Sequence, residues 1–138
     1  MNKEFVPYKE ALELKELGFD EPCLGYYVGR DIEVFTSNNV IQPPYKPEMD
    51  SKIWFRAPLY QQAFRWFRKK YSWQHSIDAT SDQHSFELGY NYWIWNNKTD
   101  EEYHTMPKNR PTGDWEYETH EEAELECLKK LIEIVKTK

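Results

Sequence analysis

Three sets of side chains in this 138-residue chain have the types needed for chemistry. The first is the imidazoles and thiols: His75, His84, His104, His120, Cys23 and Cys127. Zinc sites take paired ligands at short spacings such as CxxC, HxH or HExxH, because neighbouring donors converge on one ion at small entropic cost. None of these patterns occurs, although His75 and His84 flank a turn and could face each other across a hairpin. His120 and Cys127 stand on one helical stretch, about 10 Å apart along its axis, beyond the reach of a nucleophile and its base. The glycines form no phosphate-cradling loop. None of the many acids stands isolated in an apolar context; Glu87, on the strand face opposite Phe86 and Leu88, is the one mild oddity. The chain therefore reads as a non-enzyme that holds no metal and no cofactor.

The second set is basic. From Ser51 to Ile77 the chain carries Lys52, Arg56, Arg65, Arg68, Lys69 and Lys70 and no acid. Trp66, Tyr71 and Trp73 lie among them, and charge interleaved with rings is what single-strand nucleic-acid binders use. The third set is acidic. Ten acids between Asp100 and Glu126 face only Lys108 and Arg110, with Tyr103, Trp115 and Tyr117 beside them. Carboxylates in such an array act as phosphate surrogates toward a basic channel. The candidate partner-binding residues are Arg56, Arg65, Trp66, Arg68, Lys69, Lys70, Tyr103, Trp115, Glu116 and Tyr117.

These sets must be positioned by regular elements. Residues 9–17 place Ala11, Leu14 and Leu17 on one helical face, Gly18 ends the helix in a left-handed conformation, and Phe19 folds back onto Leu14. Gly25 to Phe35 reads as a hairpin turning at Gly29-Arg30-Asp31. Ser37 to Ser51 holds Pro43, Pro44 and Pro47 and reads as a loop or extended connection; a PxxP-type ligand is the weaker alternative. A helix then starts with Pro58 at its first position and runs to Tyr71, its apolar stripe formed by Tyr60, Ala63, Phe64, Phe67 and Tyr71. Trp66 falls on the border of that stripe.

Trp73 to Thr80 alternates as a strand, residues 81–84 turn, and Ser85 to Trp95 is the longest strand signal. Phe86, Leu88, Tyr90, Tyr92 and Ile94 line one of its faces and Trp93 and Trp95 the other, so the strand is expected to be central or covered on both sides. Thr99 to Asp114 reads as a long polar loop and Trp115–Tyr117 as a short last strand. Thr119 and Glu122 form a capping box for a helix with Ala123, Cys127, Leu128, Leu131, Ile132 and Val135 inside. The order α-ββ-α-βββ-α predicts one α+β domain over 1–138, an antiparallel sheet of about four to five strands carrying about three helices.

Aromatics are 17% of the chain, so the core must be built largely of rings. A net charge of −6 argues against a general nucleic-acid coat. Cys23 and Cys127 read as free buried thiols of a cytoplasmic protein, with a disulfide as the minority reading. No apolar run approaches the ~18 residues of a membrane span, and no signal peptide is seen.

Three blocks, ALELKELGFDEPCLGYY at 11–27, APLYQQAFRWFRKKY at 57–71 and YETHEEAELECLKKLIEIVK at 117–136, resemble a family of small uncharacterised proteins encoded by phages and prophages of Bacteroidota. The resemblance implies a phage context, the cytoplasm of a bacterial host and a role at the phage–host boundary; it transfers no functional residue. The expected function is a non-enzymatic accessory protein that binds a host protein or nucleoprotein, as an anti-defence (anti-CRISPR-like) inhibitor. The alternative is a small RNA- or DNA-binding module using the helix at 56–73, with nucleic acid as partner through residues 56–70. No membrane partner is expected, and no oligomeric state follows from the residues.

Overall fold

The computed structural model describes residues 2–28, 31–34, 54–81, 88–105 and 115–138. The Pro-rich stretch 37–51, the turns at 29–30 and 82–84, and the loop at 106–114 lie outside them, as do His84, Glu87 and Lys52. The class is α+β with antiparallel pairing, as the sequence predicts. Its strands, however, form two three-stranded sheets rather than one of four to five. By its internal contacts the chain divides into two compact units, Met1–Ala63 and Phe64–Lys138.

In the first unit a single 3-10 turn, Asn2–Glu4, precedes helix α1, Tyr8–Glu16. Gly18 has φ 101°, and the amides of Gly18 and Phe19 donate to the carbonyls of Lys15 and Leu14, which completes the expected C-terminal motif. Phe19 and Leu14 are both buried, as that motif's apolar positions usually are.

Strands β1 (Gly25–Val28) and β2 (Asp31–Val34) form the predicted hairpin. A third strand, β3 (Trp54–Ala57), pairs with the other edge of β1 and was not anticipated. It comes between a proline-rich stretch and the central helix, where four residues give too short an alternation to register as a strand.

Tyr27 stands opposite Phe55 in the β1–β3 register, with ring centroids 5.5 Å apart, and Tyr8 of α1 closes the cluster at 5.6 and 5.3 Å. The Tyr27 hydroxyl donates to the Val6 carbonyl at 2.6 Å, giving this buried ring its polar partner. Burial, then Glu10, pushes that hydroxyl's pKa up to about 12.

Helix α2 (Tyr60–Tyr71) begins two residues later than the sequence suggests. Pro58 is not in its first turn: the Pro58 carbonyl accepts from Val6 N–H, and Leu59 bridges to Phe5. Tertiary pairing of the N-terminal segment thus overrides the local preference of proline for a helix start.

The second unit holds β4 (Trp73–Ser81), β5 (Leu88–Asn96), β6 (Glu102–His104) and helix α3 (His120–Lys136). The sheet order is β4-β5-β6, and α3 packs on β5 and β4. Thr119 caps α3 by accepting from Glu122 N–H at 3.1 Å. The core contains Phe64, Phe67, Trp73, Ile94, Leu128, Leu131 and Ile132, each contributing about 1.5–3 kcal/mol through burial. Ile134 joins them rather than Val135, which is only half-buried. No helix among the described residues is long and apolar enough to cross a membrane.

The last strand departs from expectation. Glu102–His104, read as loop, pairs with Trp93–Trp95, whereas Trp115–Tyr117 contributes only an isolated bridge between Tyr117 and Tyr90. Continuing the register of Trp93↔His104 would set position 107 opposite Tyr90, yet Tyr117 stands there. The edge row of the sheet is therefore completed by two separate segments.

Candidate functional site

In β5 the residues at alternate positions point to opposite faces. Tyr92 and Ile94 share one face with Trp73 and His75 of β4 and Tyr103 of β6, as the registers Ile94↔His75 and Ile94↔Tyr103 require. Phe64 of α2 stacks on His75 there, centroids 3.7 Å apart. The other face carries Trp93 and Trp95, flanked by Ser76 and Gln74 on β4 and by His104 and Glu102 on β6. As expected for a strand rich on both faces, β5 is central in its sheet; on this second face Trp93 is 43% exposed and Trp95 half-buried. Their rings lie 5.3 Å apart at 51°.

The turn from β5 to β6 supplies acid to this aromatic pair. Asn96, 7% exposed, organises it. Its Oδ1 accepts from the amides of Lys98 (2.8 Å) and Thr99 (3.2 Å), and its Nδ2 donates to the Tyr71 carbonyl at the end of α2 (3.0 Å). Its backbone amide donates to Glu101 O, and Asn97 N–H donates to Ser72 O. Ser72 (φ 64°) and Asp100 (φ 60°) both take the left-handed conformation that this tight geometry demands.

Trp93, Trp95, Asn96, Asp100, Glu101 and Glu102 line an open cavity of about 210 Å³. Glu101 is already engaged: it ion-pairs with Lys138, whose hydrogen bond holds the carboxyl below its ordinary pKa. Among the described residues no ion pair engages Asp100 or Glu102, both of them exposed.

The structure separates the candidates read from the sequence. Arg65, Lys69 and Lys70 are exposed and Arg68 is half-buried. Trp66 is 6% exposed, so it belongs to the core, with its ring edge-on to Phe67 and Tyr71. Lys70 lies over the Trp66 and Tyr71 rings at 5.1 and 5.5 Å. Arg56 belongs to the first unit, half-buried on β3, its Nε buried without a hydrogen-bond partner among the described residues.

In the acidic region, Trp115 is buried, its indole filling the space beside Gly89, and is not a surface ring. Glu116 is fixed by its backbone amide on Asn91 Oδ1, and Tyr117 stacks on Tyr92. Tyr103 is half-buried beneath Lys130, 5.1 Å from the ring centroid.

Sequence reasoning missed Asn96, Asp100, Glu101 and Glu102 as a site beside Trp93 and Trp95. The available signal was an alternating Trp-x-Trp at a strand end, followed at once by a polar turn and consecutive acids. Both thiols are buried, and burial pushes Cys23 up to about 12 and raises Cys127 as well, which disfavours the reactive thiolate. No group of three or more His, Cys, Asp or Glu among the described residues is placed to hold a metal ion. Comparison with protein-family models, with curated proteins and with solved structures returned no match.

Proposed function

We propose that this chain is a non-enzymatic, phage-type accessory protein that binds and modulates a host macromolecule, as an anti-defence (anti-CRISPR-like) inhibitor of a nuclease or nucleoprotein in the host cytoplasm. The observation that carries the reading is an indole pair, Trp93 exposed and Trp95 half-buried, bordered by acidic residues on a turn held in place by Asn96. Aromatic rings are enriched at protein interfaces, and carboxylates beside them suit a basic, nucleic-acid-handling surface. The three sequence blocks at 11–27, 57–71 and 117–136 support the phage context.

Of the rings in the nucleic-acid reading, Trp66 and Trp73 are buried and Tyr71 is half-buried, with Lys70 over Trp66 and Tyr71. Arg65, Lys69 and Lys70 remain as charge without an exposed ring between them. Nonspecific contact through such charge is salt-sensitive and carries no stacking energy.

The test is affinity capture from a Bacteroidota host lysate. The expected result is a nucleic-acid-binding protein whose capture is displaced by heparin or duplex DNA. Recovery of no protein partner, or tight binding of oligonucleotides lost in an Arg65→Ala, Arg68→Ala, Lys69→Ala and Lys70→Ala variant, overturns the reading.

A further inference from the structure

We infer that the cavity walled by Trp93 and Trp95 is a cation-recognition site that takes an arginine side chain of a partner protein, a proposal that rests on the partner-binding reading above and names what the partner inserts. Indole is the best ring for a cation, and a guanidinium both stacks on it and donates paired hydrogen bonds to a carboxylate. The cavity offers both features within about 210 Å³, an amount of space suited to a guanidinium and part of its methylene stem.

The protein's own lysines show the same chemistry in the same sheet. Lys138 lies 5.5 Å from the Trp73 centroid while ion-pairing with Glu101. Lys130 lies 5.1 Å from the Tyr103 centroid. Each of these rings has its cation, whereas among the described residues none lies over Trp93 or Trp95. The carboxylates of Asp100 and Glu102 stand at that cavity without an ion-pair partner among the described residues. An incoming guanidinium would supply the missing charge to rings and carboxylates together.

The site is also formed before any ligand arrives. Asn96 fixes the turn through its side-chain bonds to Lys98, Thr99 and Tyr71, and the β5–β6 register sets both tryptophans on one face of the sheet. Binding therefore orders little of this protein, which lowers its entropic cost.

The experiment follows the indole N–H resonances of the isotope-labelled full chain during titration with a short arginine-containing peptide. Matched peptides carry lysine or the neutral isostere citrulline in its place. The arginine peptide should shift the Trp93 and Trp95 indoles and the amides of 98–102, with citrulline weaker by about tenfold or more. Lysine is expected to bind more weakly than arginine. The Asp100→Asn/Glu102→Gln double variant, in which asparagine keeps the left-handed conformation at position 100, should lose affinity by about tenfold with unchanged thermal unfolding.

Equal shifts from arginine and citrulline, shifts centred on other rings, or undiminished binding by the double variant would overturn the site. Capture of a host protein that survives Trp93→Ala and Asp100→Asn/Glu102→Gln also overturns it, but leaves the partner-binding function standing. Arginine binding at these indoles without any captured partner would do the reverse.

Discussion

The indole of Trp115 occupies the space that a Cβ at Gly89 would fill, so the two residues are complementary in volume across the end of β5. Glycine is needed at 89 because an aromatic ring packs directly on its α-carbon. The contact seats the segment that follows 106–114, and Asn91 reinforces it. Its Oδ1 accepts at 3.0 Å from both Thr105 Oγ1 and Glu116 N–H, which clasps the two ends of that stretch on one atom.

Gly89→Ala is accordingly expected to destabilise by about 2–3 kcal/mol, as overpacking forces the ring or the strand to move. Trp115→Phe keeps a ring over residue 89 and should cost less, because Trp115 Nε1 is buried without a hydrogen-bond partner among the described residues and its removal forfeits no bond there. Urea unfolding of both variants measures the difference; equal costs would mean that the ring does not seat on residue 89.

Asn96→Ala removes the acceptor of two turn amides and the donor to the Tyr71 carbonyl at a buried position. A loss of about 2–4 kcal/mol is expected, since three hydrogen bonds made by one buried side chain are lost together. Asn96→Asp retains the acceptor and should lose less than alanine does at neutral pH. Thermal unfolding ranks the two variants.

His75 gives the protein an acid-sensitive core. Its pKa is lowered from 6.5 to about 4, first by burial and then by Arg68 and His120. The folded state therefore binds fewer protons than the unfolded chain between these values, and stability is fully present above pH 6.5 and declines toward pH 4. The decline attributable to this residue is at most about 3 kcal/mol. His75→Phe retains a ring against Phe64 and should flatten the stability profile in that window; an unchanged slope would assign the acid sensitivity to other groups.

Cys23 and Cys127 are 1% and 0% exposed, and burial raises both thiols far above neutral pH. Neither should react with a maleimide at pH 8 in the folded protein, and both should react in 6 M guanidinium, about the concentration that unfolds even hyperstable domains. Mass spectrometry under the two conditions counts the adducts. Rapid native labelling of either would place it on a locally opening segment.

The sequence by itself determined the elements whose signals are local. The Gly18–Phe19 ending of α1, the Thr119 cap of α3 and the apolar stripe Tyr60–Phe67 of α2 follow from periodicity and from side chains that bond within one turn. The α+β class followed from their order. Tertiary structure decided what depends on partners distant in sequence. It drew β3 onto β1, delayed α2 by pairing Pro58 with Val6, and gave β5 its edge partner in Glu102–His104 instead of Trp115–Tyr117. It also sorted the tryptophans: Trp66 and Trp115 went inward, and Trp93 stayed at the surface beside the acids of the turn. Alternation along a strand says that two faces differ, but only the packing of another element says which face is covered. That is why the candidate site was written in the sequence yet could be located only in the fold.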